Sequence, residues 1–178
     1  MRNKFDMQLG ELPRGYDHKY TYSRFGYNLK VTDLQAAIGV AQLNKFPSFV
    51  ARRKHNFERL RSALTPAADV YILPEACPDS DPSWFGFLIT CREGIERAKV
   101  VSYVESKNIQ TRMLFAGNII KHPCFDELRA TGEGYRVIGD LVNTDRIMED
   151  TFWVGVYPGM TDEMIDYMAE ILAKASKQ

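Results

Sequence analysis

The sequence predicts an α/β domain of the α+β kind, in which helices cover a small sheet. Three observations point to it. Met164, Ile165, Met168, Ile171 and Leu172 fall on one helical face near the end of the chain. Two short apolar runs, VYIL (70–73) and WFGFLIT (84–90), flank the turn-rich PEACPDSDP and read as buried strands. IQTRMLF (109–115) alternates as a strand does: Ile109, Thr111, Met113 and Phe115 point one way, Gln110, Arg112 and Leu114 the other.

The elements follow in order. Thr32 and Gln35 have the spacing of a capping box, and Leu34, Ala37, Ile38 and Ala41 share the face of the helix that it starts. Pro47 interrupts that pattern and suits the first turn of a second helix. Phe49, Val50, Phe57, Leu60 and Leu64 form the apolar face of this helix. Arg52, Arg53, Lys54, Arg59 and Arg61 mostly fall opposite and read as a solvated surface. A third helix is expected from Ile95 to Lys107, with Ala98, Val101 and Val104 inward. AGN (116–118) turns the chain, and Asn143 or Thr144 would cap a short helix through Met148. TFWVGVY (151–157) reads as a strand, and Thr161 caps the last helix, with Asp162 and Glu163 at its positive end. Trp84 and Phe85 read as core.

Composition excludes several function classes. The 178 residues carry 23 basic and 23 acidic side chains, so no global field draws the chain to nucleic acid or an anionic membrane. No apolar run approaches the roughly 20 residues that span a bilayer. MRNKFDMQLG has no apolar signal core, and the expected location is the cytoplasm. Cys77, Cys91 and Cys124 are far apart and read as small buried hydrophobes, with neither a metal site nor a disulfide framework. His18, His55 and His122 do not cluster, and a Cys124/His122 nucleophile pair is disfavoured because residues two apart diverge. No dinucleotide fingerprint, P-loop or H-E-x-x-H occurs. One segment stands apart: GYDHKYTYSRFGYNLK (15–30) sets Tyr16, Tyr20, Tyr22, Phe25 and Tyr27 among basic residues without helical or strand periodicity.

That segment and the helix after it carry a resemblance. Gly26-Tyr27-Asn28-Leu29-Lys30, then Thr32 to Gly39 (TDLQAAIG) and Gln42-Leu43, resemble the signature of the DegT/StrS sugar aminotransferase family. DPSWFGF, TRMLFAGN and NTDRIMEDTFWVGVYPGMT are similar to its 3-dehydrase branch, whose members remove the C3 hydroxyl of CDP-4-keto-6-deoxyglucose in lipopolysaccharide O-antigen synthesis.

The resemblance implies the C-terminal domain of a fold-type-I, pyridoxal-phosphate-dependent transferase. Residues 1–31 would be an active-site and interface segment and 32–178 the small domain. The large cofactor-binding domain would lie upstream, with its catalytic histidine in dehydrases or lysine in aminotransferases, so no catalytic residue is expected in this chain. In a homodimer Asn28 would offer its amide to the phosphate of the partner's pyridoxamine or pyridoxal 5'-phosphate. Lys30, where many relatives carry arginine, would meet the CDP-linked keto-sugar with Tyr27, Arg112, Phe115, Asn118 and Arg146. A [2Fe-2S] cluster and a flavin/iron–sulfur reductase partner belong to one sub-branch, with ligands outside this chain. Two alternatives stay open: a fragment of a nucleotide-sugar aminotransferase, and a non-catalytic binding or scaffold domain.

Overall fold

The computed structural model describes residues 8, 10–14, 21, 22, 24–27 and 29–175. The chain divides into two units after Ala41. In the first, the described residues from 21 to 32 form neither helix nor strand. Helix α1 (Asp33–Leu43) begins with the predicted capping box. The Thr32 amide donates to Gln35 Oε1 at 3.0 Å, and the Gln35 amide donates to Thr32 Oγ1 at 3.4 Å. The predicted apolar face forms, yet Leu34 and Ile38 are exposed and α1 buries no residue.

The second unit starts with α2 (Phe46–Leu64), whose Pro47 sits in the first turn, where a missing N–H leaves no bond unmade. β1 (Tyr71–Ile72), β2 (Gly86–Cys91), α3 (Arg97–Ser106) and β3 (Thr111–Met113) follow. Next come α4 (Asp126–Thr131), α5 (Val142–Asp150), β4 (Thr151–Gly155) and α6 (Asp162–Ala175). Short 3-10 turns occupy Thr65–Ala67, Ile119–Lys121 and Pro123–Phe125. No helix among the described residues is long and apolar enough to cross a membrane.

The sheet is antiparallel, in the order β1-β2-β4-β3. Its register sorts the side chains. Phe87 opposes Val154, Ile89 opposes Phe152, and Thr111 opposes Val154 from the other side. These residues point inward and are buried among Leu60, Leu64, Val100, Val104, Ile165 and Leu172 of α2, α3 and α6. The Tyr71 hydroxyl donates to the Leu172 carbonyl at 3.0 Å, and burial raises its pKa well above the usual phenol value. On the opposite face Leu88, Trp153 and Arg112 form one row, and Gly86 and Gly155 the next.

Six expectations need correction. Ala98 does not face inward from α3: it is exposed, and Val100 takes the buried place beside Val104. The α2 cations are not simply solvated, because α2 packs beside the start of α6. Arg52 donates to Asp162 at 2.7 Å and to the Met160 carbonyl. Arg59 grips Asp166 through two bonds of 2.7 Å, and Lys54 and Arg61 pair with Asp81 and Glu75. Asn143 and Thr144 do not cap α5, whose first turn instead follows a left-handed Leu141 and an Asp140 side chain accepting from the Val142 amide. Phe85 is 54% exposed and is not core, whereas Trp84 does stack on Phe57. Cys77 and Cys124 are exposed, and only Cys91 is the buried thiol expected, its pKa pushed up to about 11 by burial. Finally, the strand of 109–115 stops at Met113, because Phe115 leaves the extended region with φ +45°. Thr161 caps α6 as predicted, its hydroxyl accepting from the Met164 amide at 3.3 Å.

Candidate functional site

The outer face of the sheet holds the strongest group of candidates. Arg112 stands on β3, an edge strand, and opposes Trp153 of β4. Its guanidinium is exposed and lies back along its own strand. It donates to the Thr111 carbonyl at 3.1 Å, and the Gln110 amide, turned oxygen-first, accepts from Nη1 and Nη2 at 2.9 and 2.8 Å. No acidic side chain among the described residues pairs with it. Arg112, Trp153, Gly155, Tyr157, Met164 and Tyr167 line a groove of about 590 Å³ together with Ile109 and Gln110, which lead into β3. A planar five-donor cation with no acid partner among the described residues, beside aromatic walls, suits a phosphate or an oxygen-rich ligand.

Three aromatic rings continue this face. Phe85 meets Trp153 edge-on with centroids 5.3 Å apart, and Phe115 lies 6.5 Å from Phe85 and 6.3 Å from Trp153. Such separations are those of interacting rings. Gly86 makes room for the indole, since a Cβ there would sit 2.6 Å from Trp153 Cε3. The indole N–H donates to the Met113 carbonyl at 3.1 Å, which fixes the ring's orientation. Phe115 is 73% exposed despite being held in left-handed backbone, a conformation that costs a bulky residue about 1–3 kcal/mol.

The turn that carries Phe115 is secured from beneath. Its amide donates to Met113 O at 2.7 Å, and the Gly117 amide donates to Leu114 O at 3.1 Å. Gly117 is required twice over: its φ is +57°, and a Cβ would fall 2.5 Å from Met148 Cγ. Asn118 is 2% exposed and donates from Nδ2 to Asp145 Oδ1 at 2.7 Å. Lys121 Nζ lies 2.7 Å from the same oxygen. The Lys121 ammonium and the Asn118 amide hold the Asp145 carboxyl below its usual pKa. His122 Nε2 donates to Ala116 O at 2.6 Å.

The expected site residues are therefore distributed unevenly. Arg112 and Phe115 share the outer face through Trp153. Asn118 is turned inward to Asp145. Arg146, on α5, is exposed and lies 3.9 Å from Asp150 one turn along its own helix. Tyr27 and Lys30 are exposed residues of the other unit, and Asn28 lies outside the described residues. Sequence inspection missed Phe85 and Trp153 as members of the face. The alternation of Phe152, Trp153 and Val154 was the available signal: it puts the indole opposite two core residues.

The model of the DegT/DnrJ/EryC1/StrS aminotransferase family matches residues 7–173. This chain belongs to that family. It is 53% identical to the lipopolysaccharide biosynthesis protein RfbH of Salmonella typhimurium, over 93% of this chain and 37% of that protein. It is 52% identical to the dTDP-4-dehydro-2,6-dideoxy-D-glucose 3-dehydratase of Saccharopolyspora spinosa, over 97% of this chain and 37% of that protein. The fold matches the E. coli GDP-4-keto-6-deoxy-D-mannose-3-dehydratase with bound hydrated PLP: TM-score 0.75, 26% identity, 86% of this chain and 38% of that one. The family member thus spans a little over a third of the length of these relatives. It has the helix-covered antiparallel sheet of one part of the pyridoxal-phosphate-dependent aminotransferase fold.

The described residues offer that cofactor no buried lysine. A Schiff base needs a positioned lysine, usually desolvated, and none of the described lysines is buried. Lys54, Lys99, Lys121 and Lys174 are paired with acids. Cys77, Cys91 and Cys124 join no group of His, Cys, Asp or Glu that could hold a metal among the described residues.

Proposed function

We propose that the complete protein carrying this chain is a pyridoxamine-phosphate-dependent 3-dehydrase of a CDP-linked 4-keto-6-deoxyhexose, and that this chain forms one wall of its nucleotide-sugar site. One observation carries the proposal: 52% identity across 97% of the chain to a nucleotide-sugar 3-dehydratase. The outer sheet face supports it chemically. Arg112, free of any acid partner among the described residues, is available to the pyrophosphate or the sugar oxygens. Phe115, with Phe85 and Trp153, offers flat apolar surface to a sugar or base ring. In this division of labour the cofactor carries the chemistry and the chain contributes binding and orientation.

We assign the remaining roles on the same basis. In a homodimer Asn28 reaches the phosphate of the partner's cofactor, and Tyr27 and Lys30 border the sugar nucleotide from that segment. Arg146 is a second cation for the substrate. The ligands of a [2Fe-2S] cluster, and the surface that meets a flavin/iron–sulfur reductase, fall to the rest of the protein.

The test uses the complete protein with pyridoxamine phosphate and CDP-4-keto-6-deoxyglucose, followed by mass spectrometry of the sugar. Loss of the C3 hydroxyl is the expected outcome. An amino sugar formed with glutamate as donor would replace this proposal with an aminotransferase. No conversion of any nucleotide keto-sugar would leave a binding module.

A further inference from the structure

We propose that Asn118, Asp145 and Lys121 form a positioning latch that holds the Phe115 ring on the Arg112 face, and that this latch sets the protein's grip on its ligand. The inference rests on the nucleotide-sugar proposal above and deepens it.

Three observations converge. First, Phe115 is held in the left-handed region while its ring remains 73% exposed, so the strained backbone serves no core packing. Second, the turn is tied down by a charged arrangement out of proportion to an ordinary loop. Asn118 is nearly fully buried, its amide meets Asp145 at 2.7 Å, and Lys121 meets the same carboxylate oxygen at 2.7 Å. Third, the carboxylate belongs to α5, which runs directly into β4 and so into Trp153. Met148, one turn after Asp145 on α5, lies under Gly117, and its sulfur accepts from the Asn118 backbone N–H at 3.4 Å. A single helix therefore registers the Phe115 turn against the strand that carries the neighbouring indole. Asn118 is a positioning residue: it acts through Phe115 and need not touch the ligand. The ligand is a flat ring bearing a phosphate or hydroxyls, supplied by the base or by the sugar of the nucleotide sugar.

The test is made in the complete protein, with CDP-4-keto-6-deoxyglucose as substrate and CDP as competing ligand. Asn118→Ala is expected to raise KM about tenfold while kcat changes less than about twofold. Phe115→Ala should do the same. The double variant should be no worse than Phe115→Ala alone, because both remove one contact. Additive effects, or a KM that does not move, would overturn the latch. A parallel rise in the CDP inhibition constant assigns the ring contact to the base, and an unchanged constant assigns it to the sugar; either supports a latch acting through Phe115. Asp145→Asn keeps an oxygen for Asn118 and removes the charge that Lys121 binds. A smaller KM rise is expected, and this variant decides the matter if Asn118→Ala does not fold.

A second readout needs no turnover. With 5-fluorotryptophan incorporated and Trp153 assigned through Trp153→Phe, the ¹⁹F resonance should shift in Asn118→Ala, because Phe115 lies 6.3 Å from that indole. An unmoved resonance would overturn the latch. A wild-type protein that converts no nucleotide sugar, together with the shift in Asn118→Ala, would sink the proposed function and leave the latch standing.

Discussion

Phe152 and Trp153 are adjacent in the chain and opposite in fate. Phe152 points into the core with Ile89 across from it, and neither ring nor side chain there sees solvent. Trp153 points to the other face, where it meets Leu88, Arg112, Phe85 and Phe115. The two faces are built by the same strands and the same hydrogen bonds. The inner face is satisfied by α2, α3 and α6. The outer face keeps a cation with no acid partner among the described residues and three partly exposed rings. Successive residues of one strand thus divide stability from recognition, and substitutions on the two faces should separate those properties.

The largest separation is expected at the core residue. Phe152→Ala should cost about 3–5 kcal/mol of folding stability, because a fully buried ring leaves a cavity behind. Phe115→Ala should cost less than about 1 kcal/mol, since its ring is mostly exposed and alanine is as strained there as phenylalanine. Urea unfolding of both variants checks the contrast. Comparable losses would break the division between faces.

Next is Arg112→Lys, which keeps the charge and loses the planar fork. A hydrogen bond to a charged group is worth about 1.5–3 kcal/mol, so kcat/KM should fall about tenfold or more with the melting temperature unchanged. Unchanged kcat/KM would remove Arg112 from the site, and a large drop in melting temperature would make it structural.

Gly86→Ala should show how closely the indole is seated. The new methyl would stand 2.6 Å from Trp153 Cε3, and a forced shift of that ring is expected to cost about 1–3 kcal/mol. Quenching and spectral position of the Trp153 emission, isolated by Trp84→Phe, would report the displacement. Gly155→Ala is its control on the neighbouring strand, because open space surrounds the Cβ position there.

The smallest effect concerns the α2–α6 ion pairs. Asp162 is held below its usual pKa chiefly by the His55 hydrogen bond and then by Arg52, against the opposing effect of burial. Asp166 is lowered in the same way, chiefly by Arg59. A carboxyl depressed on folding stabilises the protein above its unfolded value, near pH 4 for aspartate, and loses that contribution as pH falls through the folded value. Both groups are more than a third exposed, so solvent screens the pairs. The urea midpoint should therefore decline modestly below about pH 4, and Asp162→Asn should flatten that limb. An identical decline in Asp162→Asn would place the acid sensitivity elsewhere.

These contrasts also mark what could be read before folding. The Thr32–Gln35 capping box, Pro47 in the first turn of α2, the Thr161 cap and the apolar stripe of α6 were all legible. Each depends on groups within about one helical turn, so local spacing determines the outcome. Arg112 and Phe115 were legible as residue types, but both were read into one strand, and Phe115 lies beyond its end in a turn. Their shared face was not legible, since it requires β4 to pair between β2 and β3. Arg59 finds Asp166 across 107 positions of sequence, and nothing local distinguishes that arginine from a solvated one. Asn118 looked like a turn residue open to ligand, and only the packing of α5 against its loop turns the amide inward to Asp145. Local sequence determined where α1, α2 and α6 begin and which face of α2 and α6 is apolar. Tertiary structure decided which exposed groups meet, because those contacts join elements whose separation along the chain carries no record of their proximity in space.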